Sequence, residues 1–172
     1  MNATRAVSRG FTLIELLVVI AIVGVVTAAV TLSLRGSGAR EVENAARRAQ
    51  ALVSLACERA VIGGRDIGFS PVLDGLRFGY FERDRWEPID NGRNDELRPR
   101  ALGAGIALRA ERDGEPVTLD AEPPAEPPFA CFSTGELTPF VLQIARADAP
   151  QPWRLEGRLD GTLELREGDD VR

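Results

Sequence analysis

The sequence predicts an α+β fold, in which a long N-terminal helix packs on a small antiparallel β-sheet or β-sandwich head domain. Three observations predict it. An apolar block fills residues 11–34, an amphipathic helical pattern follows it, and the rest alternates short apolar runs with Gly, Pro and Asp turn signals. At 172 residues the chain can bury one modest core. We therefore expect one head domain attached to one long helix.

The composition excludes most catalytic chemistry. The chain has a formal net charge of −5, all 21 of its basic residues are Arg, and it contains no His. Without His and Lys there is no imidazole base or ligand, no Schiff base and no phosphate-loop lysine. The acidic balance also disfavours a nucleic-acid partner, which would require clustered positive charge. We expect no enzyme activity, no cofactor, no metal site and no nucleic acid.

Residues 1–10 form a short, polar, positive leader, and residues 11–34 are apolar apart from Glu15 and a few Thr and Ser. A helix rises about 1.5 Å per residue, so about 20 of these residues cross a hydrocarbon core of about 30 Å. The charges of Arg5 and Arg9 predict that the N-terminal side of this transmembrane helix is cytoplasmic. A secretory signal would end in a small-residue cleavage site, which the following TLSLRGSGAR does not offer. The apolar segment is therefore expected to be retained.

Glu15 is the one charge in the apolar block. A charge at the centre of a bilayer costs about 2.5–3.5 kcal/mol and less near an end, so a wet position at the interface would be tolerable on its own. Cleavage after Gly10 would supply a partner, because it creates an α-amino group on Phe11, four residues before Glu15. Between packed helices this amine and the carboxylate would neutralise each other in a low-dielectric core and fix an axial stagger.

The segment Arg9–Val19, RGFTLIELLVV, resembles the signature of type IV pilins. The resemblance implies that a prepilin peptidase cuts between Gly10 and Phe11 and methylates the new N-terminus, and that Glu15 is the glutamate used in filament assembly. Loss of the leader removes two Arg and no acid, so the net charge of the mature chain would be −7. A plain signal anchor that matches the signature by chance is the alternative.

The amphipathic continuation, residues 35–64, begins with a flexible Gly36-Ser37-Gly38. From Glu41 to Ile62 apolar residues recur at three- and four-residue spacing, which predicts one helix face packed on a sheet. Gly63-Gly64 is the predicted end of the helix. The apolar positions are Val42, Ala45, Ala46, Ala49, Leu52, Val53, Ala56, Ala60 and Val61.

Residues 65–172 are predicted to form the β head. Asp113-Gly114 and Asp160-Gly161 are two-residue hairpin signals, and the proline run of residues 122–128 excludes a central strand there. The predicted strands are residues 76–81 and 85–89, paired about Arg83 and Asp84, then 106–110, 117–119, 129–132, 138–145, 153–159 and 162–165.

Three local features of the head each admit two interpretations. A disulfide between Cys57 and Cys131 is permitted in an exported domain, but the sequence favours two small, buried apolar residues. The aromatic residues could form a binding platform, although we expect core and sheet-face positions. The acidic loop of residues 90–96 lacks calcium-loop spacing and contains Arg93, so we expect a solvated loop. The aromatic residues are Phe78, Tyr80, Phe81, Trp86, Phe129, Phe132, Phe140 and Trp153.

The head sequence narrows the resemblance to a minor pseudopilin family called general secretion pathway protein H. The similar segments are Leu55–Phe69, Gly79–Phe81, Arg85–Ile89, Phe132–Leu142, Trp153–Leu155 and Asp160–Leu165. The resemblance implies a structural subunit of the type II secretion system, near the tip of a periplasmic pseudopilus that supports export of folded proteins across the outer membrane. It implies single-pass anchoring in the cell inner membrane, with the head in the periplasm. The implied partners are the prepilin peptidase, the major pseudopilin, other minor pseudopilins and the inner membrane.

Two other functions stay open at this point. A minor pilin of a type IV pilus, serving adhesion, twitching or DNA uptake, shares this kind of head. DNA uptake would require a basic patch, and neighbouring acids dilute the local cluster of Arg93, Arg98 and Arg100. A membrane-anchored periplasmic enzyme or binding protein is the other function, and the lack of His and Lys disfavours it.

Overall fold

The computed structural model describes residues 12–82, 85–89 and 95–168, without the side chains of residues 28–37 and 82. The leader, Phe11, the predicted turn at Arg83 and Asp84, and residues 90–94 of the acidic loop lie outside the described residues. The chain divides into two compact units, Met1–Ser37 and Gly38–Arg172.

The helix α1 spans Leu13–Gly63 and continues through Gly36-Ser37-Gly38, where the division between the two units falls. It ends as the two glycines predict. Gly64 has φ 61°, its N–H donates to Val61 O at 3.4 Å, and the N–H of Arg65 donates to Ala60 O at 3.2 Å. These two bonds satisfy carbonyls that the last helical turn leaves open, and the positive φ is accessible to glycine without strain.

Across the described residues, no helix combines the length and the hydropathy that a membrane crossing requires. The predicted transmembrane segment, residues 11–34, includes Phe11 and the side chains of residues 28–34, which lie outside the description.

Two antiparallel five-stranded sheets form the head. In the first, the order β3-β2-β1-β7 is joined by β4, which pairs with β2, and in the second the order is β10-β9-β8-β5-β6. The first sheet contains β1 (Ile67–Val72), β2 (Gly75–Glu82), β3 (Arg85–Pro88), β4 (Arg100–Ala101) and β7 (Phe129–Cys131). The second contains β5 (Ile106–Arg112), β6 (Glu115–Val117), β8 (Phe140–Arg146), β9 (Trp153–Gly157) and β10 (Leu163–Glu167).

The predicted strand pairs β2–β3, β5–β6 and β9–β10 are confirmed, but five residues, 158–162, join β9 to β10 where the sequence predicted a two-residue turn. Two strands were missed. Asp113 and Gly114 have φ values of 54° and 82°, which match the left-handed turn that joins β5 to β6. Gly161, with φ 81°, lies in the turn between β9 and β10. The sequence did not predict β1 or the two-residue β4. All six residues of β1 are buried, so the alternation that reveals a half-exposed strand is absent.

One apolar core joins the buried face of α1 to both sheets. Four phenylalanines meet where the sheets face each other, with Phe69 centred 5.2 Å from Phe129 and 5.3 Å from Phe140. The expected core role is confirmed for Phe78, Phe129 and Phe140, while Phe132 and Trp153 are half-buried. The buried members of this set fill the interior of the head, as expected for core positions.

The helix face is confirmed at seven of its predicted positions and wrong at one. Leu52 is half-buried, and Val61, in the last turn of the helix, is 50% exposed. The fully covered positions are at most 1% exposed and are Val42, Ala45, Ala46, Ala49, Val53, Ala56 and Ala60.

The alanines of this face predict a sharp size limit. Ala49→Leu adds three carbon atoms where no space exists, so we expect a loss of about 1–3 kcal/mol in the free energy of unfolding. Ala51 is exposed two residues away, so Ala51→Leu is the matched control, with an expected change within about 0.5 kcal/mol. Denaturant unfolding of both variants measures the difference, and equal stabilities would contradict the packing described.

Candidate functional site

Thr12 caps the N-terminus of α1. The backbone N–H of Glu15 donates to the hydroxyl of Thr12 at 3.3 Å and to its carbonyl at 3.1 Å. Thr12 and Glu15 have the spacing of Thr-x-x-Glu, which defines the start of a helix, and an acidic residue in the first turn complements the helix dipole. Sequence reasoning missed this cap, although the Thr-x-x-Glu spacing was visible.

The first turns of α1 expose large apolar side chains on every side of the helix. We call these residues the apolar sleeve; each is at least 49% exposed. Thr27 does not interrupt it with an unsatisfied polar group, because its hydroxyl donates to Val23 O at 2.6 Å. Water is a poor solvent for such a surface, which therefore favours an apolar environment. The sleeve consists of Leu13, Ile14, Leu16, Leu17, Val18, Val19, Ile20, Ile22, Val23, Val25 and Val26.

The helix is fastened to the head at three described points. Glu41 pairs with Arg146 of β8, and Arg59 pairs with Asp95 at 2.9 Å. Between these two ion pairs, a disulfide joins Cys57 of α1 to Cys131 of β7, with Cα atoms 4.9 Å apart. The three links tie the helix to both sheets and to the loop after β3.

The disulfide replaces the expected pair of separate apolar cysteines. The two residues are 74 positions apart in the sequence, and spacing gave no signal that helix and strand bring them together. A loop of this length implies a stabilisation of about 4 kcal/mol, because the link restricts the unfolded chain. Among the described residues no cysteine is free.

Asp95 accepts several hydrogen bonds in its ion pair with Arg59. Its carboxylate accepts two bonds from Arg59, at 2.9 and 3.0 Å, and a third from the N–H of Leu97 at 2.9 Å. Burial raises the pKa of Asp95, but the bonds from Leu97 and Arg59 outweigh it and hold the pKa below its ordinary value. Burial likewise lowers the pKa of Arg59, and bonds to Asp95 and Tyr80 more than compensate.

A cleft of about 390 Å³ opens at the C-terminal end of α1. Cys57 and Leu163 line it, and Ile62, 87% exposed, lies on its lip. Glu58 and Asp160 bring two carboxylates to the same opening.

The predicted processing residues, Gly10 and Phe11, lie outside the described part of the chain. Glu15 is exposed in the first turn of α1 and forms no salt bridge with a described residue. No group of three or more potential metal ligands occurs within the described residues. Within the described residues, the features that stand out are therefore the capped start and the apolar sleeve of α1 and, in the second unit, the disulfide, the ion pairs and the cleft.

These features define a pilin-like subunit class. A family model described as the prokaryotic N-terminal methylation motif matches residues 5–31. The fold agrees with solved structures. The crystal structure of the minor pseudopilin EpsH from the type II secretion system of Vibrio cholerae superposes with a TM-score of 0.62, at 26% identity, over 78% of this chain and 100% of that one. The solution structure of Escherichia coli GspH, at 20% identity and a TM-score of 0.60, shows the same fold over 77% of this chain and 92% of that one.

Sequence relatives identify the family. Type II secretion system protein H of Aeromonas hydrophila is 34% identical over 149 residues, which cover 81% of each chain. The protein of the same name from Pseudomonas aeruginosa is 31% identical over 80% of this chain and 83% of the relative. The chain belongs to the type II secretion system protein H family.

The Asp95 link predicts how stability responds to acid. The pKa of Asp95 is lower in the folded chain than the unfolded value of about 3.9. The contribution of Asp95 to the free energy of unfolding is therefore complete above that pH, and it is lost as the pH falls through the folded pKa. We expect Asp95→Asn to cost about 1–2 kcal/mol near neutral pH, and the gap to the wild type to shrink below about pH 4.

Asp113→Asn is the control for this prediction, because Asp113 pairs with Arg112 at 3.7 Å and both side chains are more than half exposed. We expect it to change the free energy of unfolding by less than about 0.5 kcal/mol at any pH. Urea unfolding from pH 3 to pH 7 measures both variants. A gap between Asp95→Asn and the wild type that stays constant into acid would show that the carboxylate charge is not the cause.

Proposed function

We propose that this chain is a minor pseudopilin of a type II secretion system, a structural subunit near the tip of the periplasmic pseudopilus that supports export of folded proteins across the outer membrane. One observation carries the proposal. A single helix, Leu13–Gly63, bears the exposed apolar sleeve at one end and the buried, disulfide-linked face of the head at the other. Such a helix connects an apolar environment to a head that faces water.

The apolar sleeve accounts for two states of the subunit. Removing a large aliphatic side chain from water contributes about 1.5–3 kcal/mol, so the eleven residues of the sleeve strongly favour an apolar environment. Before assembly this environment is the inner membrane, which the helix crosses once with its N-terminal side in the cytoplasm. After assembly it is the set of neighbouring helices in the filament core. The prepilin peptidase prepares the chain for this transfer by cutting between Gly10 and Phe11.

Glu15 fixes the axial position of the subunit relative to its neighbours in the filament. Its carboxylate stands in the first helical turn at the edge of the apolar sleeve, exposed and without a salt bridge to a described residue. The processed amine of Phe11 in a neighbouring subunit is the partner that would neutralise it away from water. The major pseudopilin and the other minor pseudopilins carry out this packing with the chain.

The head supplies contacts rather than chemistry. The chain has no His or Lys, and its largest buried side chains form an apolar core. A disulfide in a domain of this size suits an oxidising compartment, in agreement with a periplasmic head. The proposed role is therefore mechanical and without enzyme activity.

A deletion strain tests this function. Secretion of exoproteins is assayed beside twitching and DNA uptake, with complementation by the wild type and by Gly10→Ala. We expect loss of secretion alone, restored by the wild type and not by Gly10→Ala, because the uncut leader keeps Phe11 from presenting its amine. Loss of motility or uptake with normal secretion would assign the chain to a type IV pilus, and full rescue by Gly10→Ala would refute the processing step.

Glu15→Gln separates assembly from processing. We expect the variant to lose its leader at the normal rate but to fall at least about tenfold in cross-linking to the major pseudopilin, because a desolvated amine is left without its counter-charge. Glu43→Gln is the matched control, since Glu43 lies in the same helix and pairs with Arg47 on an exposed face. Normal cross-linking of Glu15→Gln would contradict the proposed role of this carboxylate.

A further inference from the structure

The two cysteines of the disulfide differ in their exposure. Cys131 is fully buried in β7, whereas Cys57 is half-buried and lines the cleft at the end of α1. A molecule that enters the cleft therefore contacts Cys57, whereas Cys131 is not among the residues that line it. Thiol–disulfide exchange proceeds by attack on one sulfur at a time, so access determines which sulfur reacts.

The charge and shape of the cleft select what can enter. Glu58 is exposed, and neither Glu58 nor Asp160 forms a salt bridge with a described residue. The N–H of Thr162 donates to Asp160 at 3.0 Å and holds the pKa of that carboxyl below its ordinary value, so its charge is fixed at neutral pH. Both carboxylates repel anions, while Val61 and Ile62 offer apolar contact at the lip.

We propose that Cys57 is the entry sulfur of this disulfide, and that a thiol–disulfide oxidoreductase with an apolar, non-anionic reactive face closes it through the cleft. The Cys57 thiolate attacks the disulfide of the oxidoreductase, forms a mixed disulfide and releases the second sulfur of the enzyme. Cys131 then attacks the Cys57 sulfur, which completes the native bond and releases the enzyme as a dithiol. The two cysteines of the chain lose two electrons and two protons, and the oxidoreductase gains them.

This order of events does not depend on the secretion function, because it follows from the head alone. In this order of events the disulfide between helix and head forms only after the chain reaches an oxidising compartment. Until Cys57 reacts, α1 is held to the sheets by its alanine face and by the ion pairs of Glu41 and Arg59.

The first test uses the full oxidised chain in detergent. Limiting cysteamine opens the disulfide, acid and N-ethylmaleimide stop the reaction, and mass spectrometry of peptides locates the cysteamine adduct. We expect the adduct on Cys57 in at least about tenfold excess over Cys131, because the accessible sulfur is attacked. Equal labelling, or an excess on Cys131, overturns the proposal without requiring any variant to fold.

The second test measures the charge selection in the reduced Cys131→Ala chain, where Cys57 reacts alone. Its rates with cystamine, a dication, and 3,3′-dithiodipropionate, a dianion, are each divided by the rate for free N-acetylcysteine amide. We expect cystamine to be preferred by at least about threefold at low salt. Glu58→Gln should reduce this preference, and Glu43→Gln, whose carboxylate pairs with Arg47, should leave it unchanged. A preference that is absent, or that Glu58→Gln does not alter, overturns the role of the acidic rim.

Discussion

The close packing of α1 on the two sheets is the constraint on which the rest of the head depends. Five of the seven covered helix positions are alanine, and they lie in one core with large residues of both sheets, such as Phe69 and Leu142. Alanine adds only a methyl group to the backbone, so the helix can approach while the larger sheet residues fill the space. The disulfide and the two flanking ion pairs require this short separation, since each joins the helix directly to the head. A displaced helix would break both ion pairs, and in the reduced chain it would hold Cys57 too far from Cys131 for the disulfide to form.

The two ends of α1 have different surface patterns, which suit different environments. Where α1 packs on the sheets, one face of the helix carries small, buried side chains, and the opposite face carries polar side chains that face water. In the apolar sleeve, large side chains are exposed all around, and the single charge of Glu15 is confined to the capped first turn. The change from one pattern to the other falls at Gly36-Ser37-Gly38, where the two units of the chain divide. The sequence thus encodes two environments in one continuous helix, as the proposed transfer from membrane to filament requires.

The sequence predicted those features whose signals are local. Helix periodicity, the Gly63-Gly64 end and the Asp-Gly hairpins each arise within a few residues, and the structure confirms them. The disulfide was undervalued because 74 residues separate its cysteines and only the tertiary fold joins them. Strand β1 was missed because burial on both faces removes alternation. Val61 keeps the helical spacing of the covered face but is half exposed beside the cleft at the end of α1, and periodicity alone could not show this. The roles proposed for Gly10, Phe11 and Glu15 rest on the leader motif, which indicates a processing site and says nothing about the fold.

The position of the disulfide bears on how the head withstands load. A pull along α1 would test the packing of the alanine face, whose apolar contacts are individually weak and release one after another. Glu41 and Arg59 add ion pairs near the two ends of that face, and both exchange with water when the helix shifts. The bond between Cys57 and Cys131 behaves differently, because it cannot slide and does not depend on the exclusion of water. It lies beside Arg59, toward the end of the helix that is farthest from the apolar sleeve. If α1 begins to separate from the sheets at the Glu41 end of the covered face, the separation therefore stops at Cys57. In the oxidised state the sheets remain covalently attached to the helix.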